Sequence, residues 1–134
     1  SYNPCYKVTH EGKQVAIIAA GSFYQKGERV ANLLKEYKVD ATLINPRYLN
    51  AVDANTLEAL KKNHRLVVTL EDGCKDGGFG ERIASYYSTS DMKVLVGGVK
   101  KGLYDRFKVD ELLANNRLLD NQIAEDIMNI LWKK

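Results

Sequence analysis

The sequence has few of the features that define several classes of protein. Among 134 residues there are only two cysteines and two prolines. No stretch approaches the roughly 18 consecutive apolar residues that a membrane-spanning helix needs. The first residues have neither a basic region nor a long apolar run, so we expect no signal peptide. These absences argue against membrane, fibrous and small disulfide-rich secreted proteins. The 45% of hydrophobic and 28% of charged residues are instead typical of one globular domain, predicted over residues 1–134.

The familiar catalytic motifs are also missing. Cys5 and Cys74 are far apart and belong to no Cys-x-x-Cys pair, which favours reduced thiols in a cytoplasmic protein. There is no Gly-x-Ser-x-Gly and no His-Glu-x-x-His. His10 and His64 have no partner that spacing reveals. We therefore predict no catalytic residue and no metal site within these residues.

The charge is mildly positive, with a formal net value of +3. Lys61, Lys62 and Arg65 form one small cluster, and Lys100 and Lys101 form another. Nucleic-acid-binding domains concentrate more positive charge on one face and interleave it with aromatic residues. We therefore predict no nucleic-acid partner and interpret these clusters as solvated helix ends and turns.

Short apolar runs alternate with stretches of helical period. The runs predict strands, since uninterrupted apolar segments of this length are typical of strands buried on both faces. The predicted strands are Tyr6–His10, Val15–Ala20, Ala41–Ile44, Leu66–Leu70 and Lys93–Val96. The predicted helices are Gln25–Tyr37, a segment capped by Asp53 and running through Leu57 and Leu60, Glu81–Tyr87, Val109–Ala114 and Asp120–Trp132.

This alternation predicts the α/β class: a three-layer αβα domain around a mostly parallel sheet of about five strands. In the helix Gln25–Tyr37, Val30, Leu34 and Tyr37 form the apolar side, and Lys26 belongs to the wet side. Glu11–Lys13 suggests a tight turn. A hairpin there would make the first strand an antiparallel edge strand.

The loop Glu71–Gly80 is the segment richest in potential chemistry. It follows a predicted strand and leads into a predicted helix, so it lies at the carboxyl edge of the sheet, where open α/β folds usually bind ligands. Gly77, Gly78, Phe79 and Gly80 are candidates either for an anion site at the helix start or for a tight packing turn. Both glycine-rich phosphate motifs fail here, and acidic residues crowd the loop, so packing is favoured.

Glu71 and Asp72, at the predicted strand end, are the other candidates. Carboxylates at such a position can act as a general acid, a base or a metal ligand. With only Asp76 nearby and no histidine in the loop, the ligand set is thin. We therefore favour carboxylates that cap backbone amides of the loop.

Four segments in this order resemble the C-terminal domain of the transketolase-like, thiamine-diphosphate-dependent enzymes. They are Val15–Ser22, Ile44–Tyr48 with Val52 and Asp53, Val67–Gly73, and Asp76–Gly80. The resemblance spans about Lys7 to Val99 and is greatest to the 1-deoxy-D-xylulose-5-phosphate synthase family. Two features depart from the synthase pattern: Phe79 stands in a loop that is usually Gly-Gly-Ala-Gly-like, and the Lys100–Phe107 region lacks a proline-containing stretch.

The resemblance implies that thiamine diphosphate and magnesium are held by preceding domains of a homodimeric enzyme. No Gly-Asp-Gly…Asn motif for the diphosphate is present, and no catalytic or cofactor-binding residue carries over to this chain. A sequence that does not begin with Met suits either a processed protein or part of a longer one, and the resemblance together with the missing catalytic groups leads us to expect the latter. The implied role is to pack against the cofactor-bearing domains and to support the dimer.

Two other assignments stay open. The domain could belong to a transketolase or to the beta subunit of a 2-oxo-acid dehydrogenase, which would allow a docking role. It could also be a stand-alone module that binds a small anion at Gly77–Gly80. The sequence does not name the substrates, because the residues that would select them are not in it.

Overall fold

The fold is given by a computed structural model that describes residues 6–47, 51–72, 78–98, 113 and 116–132. Five strands and four α-helices are defined within these residues. In chain order they are β1 (Lys7–His10), β2 (Gln14–Ala19), α1 (Tyr24–Lys35), β3 (Thr42–Asn45), α2 (Ala54–Leu60), β4 (His64–Glu71), α3 (Phe79–Tyr86), β5 (Lys93–Gly98) and α4 (Asp120–Trp132). Except for Leu113, the helix predicted over Val109–Ala114 lies outside the described residues.

The strands form one sheet in the order β1-β3-β2-β4-β5. Strands β2, β3, β4 and β5 are mutually parallel, and β1 is antiparallel to β3. The predicted mostly parallel α/β sheet with one antiparallel edge strand is therefore confirmed. Its apolar central strands agree with the rule that parallel strands are covered on both faces.

The predicted hairpin between the first two strands is wrong. β1 pairs with β3, not with β2, in the register Lys7 to Asn45 and Val8 to Ile44. The connecting segment crosses the amino end of β3, where the Lys13 N–H donates to the Asp40 carbonyl at 2.8 Å. The Gly12 N–H donates to the Thr42 hydroxyl at 2.8 Å. These two bonds let β2 start on the opposite side of β3 from β1, so the short segment is a crossing and not a hairpin turn.

The core consists of two apolar layers, one on each face of the sheet. Alternate residues of β2 supply both layers: Val15, Ile17 and Ala19 face one, and Ala16 and Ile18 face the other. The first layer contains residues of α1 and α4, and the second contains residues of α2 and α3. This alternation follows from the period of two along a strand and gives the predicted three layers. No helix in the described part of the chain is long and apolar enough to cross a membrane.

The predicted helical stripe of α1 is right in its centre and wrong at two positions. Val30 and Leu34 are completely buried, as expected. Tyr37 lies beyond the helix end and is 58% exposed. Lys26, predicted on the wet side, is only 8% exposed. Long charged side chains are seldom buried without a partner, so Lys26 must be paired.

Asp120, the first residue of α4, is the partner of Lys26. Its two carboxylate oxygens lie 2.7 Å from Lys26 Nζ and 2.7 Å from Arg29 Nε. Asp120 begins the helix predicted over Asp120–Trp132, and in the structure it is the residue that joins α4 to α1. Burial alone would raise the pKa of Asp120, but the hydrogen bonds from Arg29 and Lys26 hold that pKa below its ordinary value.

Asp53 caps α2 as predicted and also holds the first described residue of the chain. Its carboxylate accepts from the Thr56 N–H at 3.2 Å, which confirms the cap. The same carboxylate accepts from the Tyr6 N–H at 2.8 Å and from the Thr56 hydroxyl at 2.7 Å. Although burial opposes ionisation, these hydrogen bonds lower the pKa of Asp53. One carboxylate therefore fixes both the start of α2 and the path of the chain into β1.

Substituting Asp120→Asn tests the junction between α1 and α4. At neutral pH we expect the free energy of unfolding to fall by roughly 1 kcal/mol, because Lys26 stays buried without its ion pair while Asp120 is itself partly exposed. Since the native pKa of Asp120 is depressed, its contribution exists above the unfolded-state pKa and disappears as pH falls through the native one. The difference between the two proteins in urea unfolding should therefore shrink in acid.

A matched control on the same helix is Asp126→Asn, which breaks a pair with the exposed Arg117. This change should affect stability less than Asp120→Asn does. Equal losses from the two substitutions, or a difference that stays constant into acid, would contradict the assignment.

Candidate functional site

The described ends of the candidate loop lie at the carboxyl edge of the sheet, as predicted, since Glu71 ends β4 and Gly78 precedes α3. Gly77 lies outside the described residues. Gly78 precedes the helix with φ 95° and ψ −11°, a left-handed conformation that glycine adopts readily. Phe79 and Gly80 are buried in the first turn. α3 therefore begins two residues earlier than predicted, and two of the four candidates, Phe79 and Gly80, belong to the helix.

The backbone at the start of α3 already has an acidic partner. Glu71, the last residue of β4, is 4% exposed, and its Oε1 accepts from the Gly80 N–H at 2.9 Å. A carboxylate at a helix N-terminus interacts favourably with the exposed amides and with the positive end of the dipole. This is the capping role that the sequence favours for the strand-end carboxylates. An external anion would have to approach the same turn against this negative charge.

Gly80 allows α3 to lie directly on the sheet. A methyl group at this position would come within 2.6 Å of Thr69 Oγ1 on β4 and of a Val96 methyl on β5. These separations are shorter than van der Waals contact, so only a residue without a side chain fits while the helix keeps its place. Gly80 therefore allows the helix to pack closely on the sheet, which is the second of the two roles considered for this loop.

Phe79 anchors the same turn in the second apolar layer. Its side chain is completely buried, and its ring meets that of Tyr6 edge-on, with centroids 6.3 Å apart and planes at 66°. Such edge-to-face pairs add to the free energy gained from burial alone. Phe79 therefore connects the start of α3 to the residue that leads into β1.

Sequence analysis singles out two histidines, which the structure places in separate hydrogen-bonded pairs. Exposed His10 Nε2 lies 2.7 Å from Asp40 Oδ1. His64 Nε2 lies 2.7 Å from the Thr42 hydroxyl, and His64 Nδ1 lies 3.1 Å from the Leu60 carbonyl. Across the described ranges, no group of three or more histidine, cysteine or acidic side chains could hold a metal ion. Cys5 and Cys74 lie outside those ranges.

The bonding pattern shows which tautomer a neutral His64 adopts. A carbonyl only accepts, so Nδ1 donates to Leu60, and Nε2 is then the acceptor of the Thr42 hydroxyl proton. The Thr42 oxygen in turn accepts from the Gly12 N–H. Burial lowers the pKa of His64, opposed in part by the bond to Leu60. His64 thus closes a polar chain across the amino ends of β3 and β4.

Two polar contacts could not be predicted from the sequence. One joins Lys26 to Asp120, and the other joins Asp53 to Tyr6. Each joins residues at least 47 positions apart. A lysine at an inward position of the α1 stripe was the available signal for the first pair. No comparable signal in the sequence indicates the second.

The fold is shared with solved structures of transketolases. A structure titled "Split gene transketolase, inactive beta4 tetramer" superposes with a TM-score of 0.80 at 24% identity, covering 97% of this chain and 43% of that one. A transketolase mutant from Pichia stipitis superposes with a TM-score of 0.60 at 14% identity, covering 95% of this chain and 18% of that one. At these identities the likeness defines the fold class: an open, mostly parallel α/β sheet.

The family follows from the sequence. Residues 6–118 match the family described as "Transketolase, C-terminal domain", and the chain belongs to this family. A relative from Crocosphaera subtropica, named 1-deoxy-D-xylulose-5-phosphate synthase, is 33% identical over 94% of the chain. A Synechococcus protein of the same name is 35% identical over 90% of it. The resemblance inferred from the four sequence segments is thereby confirmed. The chain spans about a fifth of the length of these relatives, 20% and 19%.

Replacing Gly80 with alanine tests the packing of α3. Alanine is intrinsically better in a helix by about 1 kcal/mol, but here its methyl group would collide with Thr69 and Val96. We expect Gly80→Ala to lower the free energy of unfolding by roughly 1–3 kcal/mol, as overpacking usually does. Ser85→Ala, at an exposed position of the same helix, is the control and should be close to neutral. A stabilising Gly80→Ala would refute the close approach.

Replacing His64 with glutamine tests its buried neutral state. Because the native pKa of His64 is depressed, the unfolded chain binds the extra proton just below the ordinary value of 6.5, and stability should rise with pH through that window. This rise should be missing from His64→Gln, so the stability difference between the two proteins should vary between about pH 5 and pH 8. A difference that stays constant across that range in chemical denaturation would contradict the assignment.

Proposed function

We propose that this chain is the non-catalytic C-terminal domain of a thiamine-diphosphate-dependent transferase, most similar to 1-deoxy-D-xylulose-5-phosphate synthase. The parent reaction would join pyruvate to glyceraldehyde 3-phosphate with loss of carbon dioxide. One observation carries the proposal: synthase relatives match 94% of this chain, yet the match covers only a fifth of their length. Residues 1–134 then form one domain, and the chemistry belongs to the rest of the protein.

The described residues do not fit thiamine diphosphate with magnesium. A metal–diphosphate group needs several converging oxygen ligands, and no group of three candidate side chains is present among these residues. The buried carboxylate at the carboxyl edge, Glu71, accepts a hydrogen bond from the start of α3. We therefore assign cofactor and metal to the preceding domains and derive no reaction step from this chain.

The chain itself would act by packing. Its described residues begin at Tyr6, which Asp53 holds beside β1. Val8 on β1 and Val96 on β5 lie at opposite edges of the sheet and are 39% and 43% exposed. Apolar side chains at these edges support contact with preceding domains and with a second subunit of a homodimer. The candidate segment Gly77–Gly80 would serve as a packing turn and not as an anion site.

A separately encoded subunit is the alternative that one observation favours. The split-gene transketolase structure has the higher TM-score of the two solved structures described above, and this chain covers 43% of it. The domain could equally serve a transketolase or a 2-oxo-acid dehydrogenase beta subunit divided in this way. The size of the native gene product, detected with an antibody to this chain, separates a full synthase from such a subunit.

Calorimetric titration of thiamine diphosphate with magnesium tests whether the cofactor binds outside this domain. We expect no saturable heat with the 134-residue chain and saturable binding with the native gene product, because the ligands lie in the preceding domains. The native product should also release carbon dioxide from pyruvate only with glyceraldehyde 3-phosphate present. Saturable cofactor binding to the chain alone would overturn the proposal. Turnover of ketose phosphates without pyruvate would show that the parent protein is a transketolase and not a synthase.

A further inference from the structure

The amino edge of the sheet, opposite the glycine loop, contains an open groove of about 580 Å³. It lies where β4 and β5 begin, between the end of α2 and the segment that leads into β5. The groove is lined by residues from all of these elements: Lys61, His64, Arg65, Thr89, Ser90, Asp91, Met92 and Lys93.

Positive charge dominates this groove. Lys61, Arg65 and Lys93 line it, against one carboxylate, that of Asp91. Two of the cations start adjacent parallel strands, because Lys93 pairs in register with Leu66, the residue after Arg65. Both side chains line the same groove at this end of the sheet, where their like charges repel each other.

Two of the three cations have no ion-pair partner among the residues that the structure describes. Lys61 Nζ lies 2.8 Å from a Glu58 oxygen. Arg65 and Lys93 make no ion pair with any residue that the structure describes, and both are exposed. The sequence cluster Lys61, Lys62 and Arg65 was interpreted as a solvated helix end. The fold adds Lys93 to it across the sheet, which no local pattern reveals.

We propose that this groove binds the phosphate group of a small molecule, with Arg65 and Lys93 as its principal ligands. An arginine fork and a lysine ammonium are the side chains that most often bind phosphate oxygens. The Thr89 side chain adds a hydroxyl at the rim. Phe, Tyr and Trp are absent from the residues that line the groove, so it lacks the large stacking surface typical of a single-stranded nucleic-acid site. The inference does not rest on the proposed function.

His64 provides a reporter for this site within the chain. It lines the groove, whereas the second of the two histidines, His10, pairs with Asp40 near the far edge of the sheet, where β1 lies. The imidazole resonances of the two residues can be followed together in one NMR spectrum. At about pH 8, above the ordinary pKa of histidine, changes in protonation contribute little to the His64 signal, because burial lowers the pKa of His64.

The test is a titration of the 134-residue chain with inorganic phosphate at constant pH, with sodium chloride of equal ionic strength as the reference. We expect the His64 resonances to shift along a saturable curve at millimolar phosphate and the His10 resonances to stay near their reference positions. A second titration with a small phosphomonoester, such as glycerol phosphate, distinguishes a site for free phosphate from one for a phosphorylated metabolite. Tighter binding of the ester supports the metabolite.

Two variants identify the ligands. Arg65→Gln and Lys93→Gln should each weaken phosphate binding by about fivefold, which corresponds to roughly 1 kcal/mol. The control Lys35→Gln removes the same charge from the last residue of α1, an exposed position away from the groove, and should leave binding unchanged. Both groove residues are exposed, so folding of the variants should be retained; the dispersion of the same spectra shows it.

Three results would overturn the inference. The first is a His64 shift that does not saturate or that sodium chloride reproduces. The second is an equal response of His10, which would indicate an effect of ionic strength alone. The third is undiminished binding by both Arg65→Gln and Lys93→Gln. The cations would then be only solvated charges at the ends of the neighbouring helices and strands.

Discussion

The close approach of one helix to each face of the sheet is the constraint on which the rest of this structure depends. Gly27 of α1 lies where a methyl group would come within 2.8 Å of the Ala19 side chain on β2. Gly80 of α3 has the same relation to β4 and β5 on the other face. Because both helices lie this near, the apolar side chains of β2 are completely covered in a chain of modest length. The inward turn of α1 also buries Lys26, so its ion pair with Asp120, and hence the docking of α4, follows from the same geometry.

The carboxyl edge and the amino edge of the sheet, where the parallel strands end and begin, differ in the charged side chains that they contain. At the carboxyl edge, the Glu71 carboxylate binds the first turn of α3 and fills the place where open α/β folds usually receive an anion. At the amino edge, Arg65 and Lys93 begin neighbouring strands without a counter-charge among the described residues. His64 lies at this second edge, where burial lowers its pKa and Leu60 and Thr42 are its hydrogen-bond partners. The fold class alone would predict an anion site at the carboxyl edge, whereas the charges of the side chains favour the amino edge.

Much of the architecture could be predicted from local pattern, because the strands buried on both faces are uninterrupted apolar runs. Val15–Ala20 and Leu66–Leu70 are examples, and the Asp53 cap could likewise be read from one residue before a helical stretch. What failed needed distant residues. The pairing of β1 with β3 depends on bonds from Gly12 and Lys13 to Thr42 and Asp40, about 30 positions away. The burial of Lys26 depends on Asp120, and the basic groove depends on the pairing of β5 with β4, which brings Lys93 to the end of the sheet where Arg65 lies.

The candidate loop also shows that a local sequence pattern is ambiguous when the distant residues around it are unknown. The glycines near residue 80 suggest phosphate binding when they are considered as a motif, yet a motif does not say whether the helix start is open. Here the deciding residue, Glu71, precedes Gly80 by nine positions and reaches it only because β4 and α3 fold together. A glycine that lets a ligand approach and a glycine that lets a helix approach look identical in sequence, since both positions merely lack a side chain. Only the neighbouring atoms, Thr69 and Val96, distinguish the two cases, and they make Gly80 a packing residue.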